Sequence, residues 1–128
     1  MAAISKLKKI LAVDDEEISL SLVETLLKDE YEVITAKSGL EALEHLYNGL
    51  VPDLILLDIL MPVIDGWETF NRIKAISFLH DTPIVFLTLK NEPEDIKYAQ
   101  EIGAADYIVK PYDRSNLLER IKSLIPQG

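Results

Sequence analysis

Three aspartates lie where apolar segments of the chain end. Asp14 and Asp15 follow the segment of residues 9–13, and Asp58 follows the segment of residues 53–57. Three carboxylates brought close together repel one another, which raises the pKa of at least one of them unless a cation intervenes. Mg²⁺ prefers oxygen ligands supplied by one or two carboxylates, a backbone carbonyl and water. If the three aspartates meet in the fold, their types favour a magnesium site.

A hydroxyl and an amine follow two further apolar segments. Thr88 comes after residues 83–87, and Lys110 comes after residues 105–109. Beside a magnesium ion, a carboxylate can attack phosphorus and form an acyl phosphate. A lysine ammonium pairs with the remaining charge, and a threonine hydroxyl can donate to a phosphoryl oxygen. Together the five residues indicate phosphoryl transfer to an aspartate.

Taken singly, each of these residues has an ordinary structural role. Paired acids before a helix are more often partners of the helix dipole, and Asp58 or Thr88 can cap a turn. Lys110 can be a solvated loop lysine. What favours chemistry is convergence, because ligands of open α/β sheets bind where the carboxyl ends of the strands meet. Capping does not require a lysine after one strand while acids follow two others.

The elements that position these residues follow from hydrophobic periodicity. Short apolar segments alternate along the chain with segments whose apolar residues recur at helical spacing. Strands that are apolar on both faces indicate a parallel sheet covered by helices on each side. We therefore predict a doubly wound α/β fold with five helices and five parallel strands, at residues 9–13, 31–35, 53–57, 83–87 and 105–109. The predicted apolar faces of the first two helices are Ile18, Leu22, Val23, Leu26 and Leu27, then Leu40, Leu43, Leu46 and Tyr47.

Composition narrows the class of protein. The chain has 128 residues, which is the size of one domain, and we expect residues 1–128 to form a single domain with no effector domain. The absence of cysteine excludes thiolate metal sites, and a net charge of −9 argues against direct binding to nucleic acid. Apolar runs too short for a bilayer and the lack of a signal peptide favour a cytoplasmic protein that does not enter a membrane.

Five motifs in order resemble a known family. They are Val13-Asp14-Asp15-Glu16, residues 53–58 with Met61-Pro62 and Asp65-Gly66, residues 83–88, residues 103–107, and Lys110-Pro111. Over nearly its whole length the chain resembles the response-regulator receiver domain of bacterial two-component signalling systems. The resemblance implies a flavodoxin-like sheet with strand order 2-1-3-4-5.

The resemblance also implies roles at the acidic edge. Asp58 would accept a phosphoryl group from a sensor histidine kinase or a phosphotransfer protein. Mg²⁺ would be bound by Asp14, Asp15, Asp58 and the backbone carbonyl of Leu60. The protein would be a signalling switch, not an enzyme with turnover, and would catalyse only its own phosphotransfer and dephosphorylation.

Further implied roles concern the switch itself. Lys110 would bind the phosphoryl group, with a cis peptide bond to Pro111. Thr88 would move toward the phosphate and Tyr107 would rotate between outward and inward positions. The output face would be the fourth helix, fifth strand and fifth helix, at residues 93–125. That face would regulate a partner whose identity the sequence does not give, and it would also be the route to a homodimer.

Two positions depart from the usual pattern. Leu89, after Thr88, is bulky where the family usually has a small residue, and Leu60 offers no polar side chain to orient an attacking water. From this pair we predict a long-lived phosphoryl state.

Three alternative functions are open from the residues. A phosphatase of the haloacid-dehalogenase type also uses an aspartate, a threonine and a lysine, but its first strand ends in a D-x-D pattern and not in adjacent aspartates. A receiver fold that no longer accepts phosphate would be a pure interaction module, and Leu89 is the feature that favours it. A flavodoxin-like cofactor binder would need a Gly/Ser/Thr-rich phosphate loop after the first strand, which this sequence lacks.

Overall fold

The computed structural model describes residues 7–125. Five strands form one sheet in the order β2-β1-β3-β4-β5, and every neighbouring pair is parallel. This is the predicted doubly wound, flavodoxin-like fold. The strands are β1 (Lys9–Val13), β2 (Glu32–Ala36), β3 (Leu54–Leu57), β4 (Ile84–Thr88) and β5 (Asp106–Val109).

Five α-helices alternate with the strands in the predicted order, and the last one follows β5. They are α1 (Glu17–Leu27), α2 (Gly39–Tyr47), α3 (Gly66–Lys74), α4 (Pro93–Ile102) and α5 (Arg114–Leu124). A short 3₁₀ helix at Ser77–Leu79 lies between α3 and β4. Among residues 7–125, none of the helices has the length and apolar character needed to span a bilayer.

The central strands are buried on both faces because they are almost entirely apolar, and β3 is apolar at every position. One face packs against α2, α3 and α4 through residues such as Leu46, Phe70 and Ala99. The other face packs against α1 and α5 through residues such as Val23 and Ile121. Since side chains alternate between faces along a strand, consecutive residues of β3 belong to opposite clusters.

The predicted apolar face of α1 is wrong in part. Leu20, Val23 and Leu27 form the buried stripe, whereas Ile18 is 86% exposed and Leu22 is 46% exposed. At 3.6 residues per turn, positions 18 and 22 each lie on the side of the helix opposite Leu20. The prediction from hydrophobic periodicity had assigned apolar residues on two sides of α1 to a single face.

The face of α2 needs a smaller correction. Ala42, Leu43 and Leu46 are buried, but Leu40 and Tyr47 are exposed at its margin. Predicted strand limits also shift by one residue in several places, as in β4, which includes Thr88. The main-chain ladder continues to that residue because the carbonyl of Thr88 accepts a hydrogen bond from Lys110 N at 2.8 Å.

Candidate functional site

Asp14 and Asp58 are held in place by main-chain hydrogen bonds just after the ends of β1 and β3. The N–H of Asp14 donates to the carbonyl of Ala36 at 3.1 Å, and the N–H of Asp58 donates to the carbonyl of Val13 at 3.0 Å. These bonds continue the parallel ladder one residue beyond β1 and β3. As a result both residues are only 5% exposed at the carboxyl edge of the sheet.

All three predicted carboxylates come together at this edge. One carboxylate oxygen from each of Asp14, Asp15 and Asp58 lies within 4.8 Å of the others, and Asp15 is the exposed member. Such a set of oxygens fits the preference of Mg²⁺ for hard ligands. The N–H of Leu60 points into the same region, donating to Asp58 Oδ1 at 3.3 Å.

The backbone after Asp58 fixes the orientation of its carboxylate. Oδ1 also accepts the N–H of Ile59 at 2.7 Å, and the carbonyl of Ile59 accepts the N–H of Gly66 at 2.8 Å. A Cβ atom at Gly66 would overlap the carbonyl oxygen of Asp58. Glycine therefore lets the start of α3 lie directly against the turn that carries Asp58.

Lys110 reaches the carboxylates from the end of β5, and its peptide bond to Pro111 is cis, as predicted. Its Nζ lies 2.6 Å from Asp14 Oδ2 but 3.4 Å from Asp58 Oδ2. A third contact, at 3.3 Å, joins Nζ to the Ser19 hydroxyl of α1. The ammonium is thus paired mainly with Asp14 in this state.

Burial and pairing have opposite effects on the pKa of Asp14 and on the pKa of Lys110. Burial raises the pKa of Asp14, the hydrogen bond from Lys110 opposes that rise, and repulsion from Asp58 adds to it. Burial alone would lower the pKa of Lys110, but its bond to Asp14 and the charge of Asp58 outweigh burial and raise it. The raised pKa of one carboxyl was predicted from repulsion, whereas its largest cause is burial.

Thr88 and Tyr107 both contact the segment that follows β4. The buried Thr88 hydroxyl accepts the N–H of Lys90 at 3.2 Å, and the Tyr107 hydroxyl donates to the carbonyl of Lys90 at 2.5 Å. Burial and, to a lesser degree, the charges of Asp95 and Asp58 raise the pKa of Tyr107 to about 12. The two residues named as a switch pair therefore share one backbone partner.

A family model for the response regulator receiver domain matches residues 10–122 of this chain. The chain belongs to the response-regulator receiver family. Among curated proteins, this receiver domain is 39% identical over 119 residues to the alkaline phosphatase synthesis transcriptional regulatory protein PhoP of Bacillus subtilis (strain 168). That match covers 92% of the receiver domain and 48% of PhoP, so the chain spans about half the length of this relative.

Solved structures agree with the family. The chemotaxis protein CheY4 of Vibrio cholerae superposes with a TM-score of 0.87 at 34% identity, covering 93% of the receiver domain and 99% of CheY4. A putative response regulator from Chloroflexus aurantiacus superposes with a TM-score of 0.86, also at 34% identity, covering 93% and 98% of the two chains.

Two contacts at the site were missed by sequence reasoning. Ser19 was not singled out because a serine near the start of a helix is common and carries no motif. The carbonyl of Lys90 has no sequence signature, since every residue has one. The predicted lifetime was based on the bulk of Leu89 and the apolar side chain of Leu60, and these residues are 58% and 53% exposed.

Proposed function

We propose that this receiver domain is a phosphorylation-dependent switch whose phosphoacceptor is Asp58. The supporting observation is a nearly buried aspartate that faces a lysine ammonium while two further carboxylates lie within 4.8 Å. A structural aspartate does not need this arrangement, because crowding carboxylates in a poorly solvated place is unfavourable without a cation. The arrangement is suited to a site that receives a cation and an anion together.

The metal of this proposal is Mg²⁺. Asp14, Asp15, Asp58 and the carbonyl of Leu60 would hold it, with Asp14 acting directly or through water. When bound, the ion supplies positive charge that offsets repulsion between the carboxylates and an incoming phosphoryl group.

The proposed reaction is a transfer from phosphohistidine of a sensor kinase or phosphotransfer protein. A carboxylate oxygen of Asp58 forms a bond to phosphorus as the P–N bond of the donor breaks. The electron pair of that bond stays on the imidazole nitrogen, so a donor ring protonated at its other nitrogen leaves as neutral imidazole. Lys110 would move its strongest contact from Asp14 to the phosphoryl oxygens, because the phosphoryl group brings the larger negative charge.

The proposed output uses the segment of residues 88–90. The Thr88 hydroxyl, now accepting from the N–H of Lys90, would turn to donate to the phosphoryl group. That change would alter the loop to which Tyr107 is hydrogen bonded and then the face formed by α4, β5 and α5. This face would bind an output partner, with a homodimer as one form of that partner.

The wider setting is also part of the proposal. We place the protein in the cytoplasm, as one receiver domain over residues 1–128 that acts through protein contacts and does not bind nucleic acid itself. Its relative PhoP is a transcriptional regulatory protein about twice as long. The chain would pass its signal either to an attached domain or to a separate protein.

Intact mass after incubation with acetyl phosphate and Mg²⁺ tests the acceptor. We expect one phosphate adduct on the wild type and on Asp81→Asn, a control at an exposed aspartate away from the site, but none on Asp58→Asn. An adduct that persists in Asp58→Asn would contradict the assignment. No wild-type adduct with acetyl phosphate or any other donor would favour the interaction module, and multiple turnover of a generic phosphomonoester would favour the phosphatase.

A further inference from the structure

The ammonium of Lys110 has three N–H donors and three partners in this structure. Asp14 lies at 2.6 Å, Ser19 at 3.3 Å and Asp58 at 3.4 Å. With its side chain only 11% exposed, Lys110 has little access to water that would replace a lost partner. The orientation of the donor that faces Asp58 therefore depends on what holds the other two.

Ser19 is the only one of these partners that carries no charge and belongs to a helix. It lies on α1 beside Leu20 and Val23, which form the buried stripe of that helix. Because α1 is fixed on the sheet by this stripe, the Ser19 hydroxyl is presented at a set place. An apolar residue at position 19 would keep the packing and lose the acceptor.

We propose that Ser19 is a positioning residue for Lys110 in phosphoryl transfer to Asp58. Its hydroxyl accepts one N–H of the ammonium, so that, with Asp14 taking a second, the third stays directed at the acceptor carboxylate. Without it the ammonium turns about its contact with Asp14, and its alignment with an incoming phosphoryl group is lost in part. This inference rests on the proposed function of Asp58.

A small cavity next to Ser19 allows a matched test. It has a volume of about 10 Å³, and its polar lining residues are Ser19 and Asp14. Threonine and valine have nearly the same shape, and each adds one methyl group beside this space. Both are also β-branched, with similar helix propensity, so effects of packing and propensity fall on the two variants alike. Only the hydroxyl differs.

The experiment measures the initial rate of phosphate incorporation from acetyl phosphate with Mg²⁺ for wild type, Ser19→Thr, Ser19→Val and Ser19→Ala. Because the contact is long, at 3.3 Å, we assign it the strength of an ordinary net hydrogen bond, whose loss corresponds to a rate lower by roughly five- to tenfold. We expect that loss in Ser19→Val and in Ser19→Ala, and a rate within about twofold of wild type in Ser19→Thr. Ser21→Val, at an exposed position of the same helix, is the control and should match wild type.

The outcomes separate this inference from the proposed function. If wild type accepts phosphate and Ser19→Val is as fast as Ser19→Thr, Ser19 does not position Lys110. Equal slowing of Ser19→Thr and Ser19→Val would assign the effect to packing and also overturn the inference. If Ser19→Val does not fold, Ser19→Ala, which adds no volume, decides by the same comparison with wild type. A wild type that accepts no phosphate contradicts the proposed function itself.

Discussion

The interior of β3 and the residue that follows it are both buried, but the energetics of their burial differ. Leu54 to Leu57 are at most 1% exposed, and Asp58, the next residue, is 5% exposed. Full burial of a leucine side chain stabilises a fold by about 1.5–3 kcal/mol. Burial of a carboxylate is unfavourable unless charges and hydrogen bonds compensate it. Burial of the leucines in the sheet interior thus stabilises the fold. Burial of the acids at the carboxyl edge is unfavourable, and Lys110 and backbone N–H groups compensate part of that cost.

The largest effect is expected from the interior. Ile55→Ala, on the face of the sheet away from Ser19, should lower the free energy of unfolding by about 3 kcal/mol, since it removes buried contacts and leaves a cavity. Urea unfolding followed by circular dichroism measures this loss. The folded fraction should still accept phosphate at Asp58, because the edge of the sheet is unchanged. A variant that stays folded but accepts no phosphate would show that interior and edge are not separable.

A several-fold change in phosphoryl lifetime is expected at the rim of the site. Leu89→Ala should speed the decay of the phosphorylated protein with Mg²⁺ present, because a smaller side chain after Thr88 opens access to Asp58. Timing the loss of the phosphate adduct by mass measures the decay. A rapid wild-type decay that Leu89→Ala leaves unchanged would contradict the prediction that this state is long-lived.

A smaller gain in stability is expected from Asp14→Asn. The pKa of Asp14 is raised in the fold, so its charged form is less favourable there than in the unfolded chain. Replacing it with a neutral amide of similar shape should raise the Tm measured at pH 7 without metal. In the same experiment, added Mg²⁺ should raise the Tm of wild type more than that of the variant. A lower Tm for Asp14→Asn would mean that its bond to Lys110 outweighs its burial.

The smallest effect concerns Tyr107 at alkaline pH. Its pKa rises to about 12 in the fold, above the ordinary value of 10.0. Between these values the folded state binds more protons than the unfolded state, so stability falls as pH rises through this window. In Tyr107→Phe this decline should be shallower from about pH 10 to 12, measured by urea unfolding at fixed pH values. An identical slope in the two proteins would contradict the assigned pKa.

The sequence was sufficient to predict the parts of the fold that are determined by burial of apolar residues. Strands such as β3 are apolar at every position, which in a parallel sheet leaves one arrangement of layers, and their order came from family resemblance. The sequence did not show which side of α1 faces the sheet, because Ile18 and Leu22 are apolar yet lie opposite the stripe that includes Leu20. Residue type alone does not distinguish an apolar residue on the solvent-facing side of a helix from one in the core.

For the site, the residue types were predictable and their pairing was not. Asp14, Asp58 and Lys110 were placed at one edge by strand topology alone. The Nζ atom of Lys110 lies 2.6 Å from Asp14 and 3.4 Å from Asp58, a difference of only 0.8 Å. The rotamer of a long side chain and the position of α1 set that difference. The residues next to Lys110 in the sequence determine neither its rotamer nor the position of α1.

A series of aromatic contacts links α3 to the ring of Tyr107. Trp67 is the only tryptophan of the chain, and its ring lies edge-on to Phe86 and Tyr98, each with centroids 4.9 Å apart. Phe86 in turn lies 6.0 Å from the ring of Tyr107. All tryptophan emission from residues 1–128 therefore originates at the contact between α3 and α4, one ring away from Tyr107. The chain carries its own optical probe at that contact, and no dye or added label is needed to observe it.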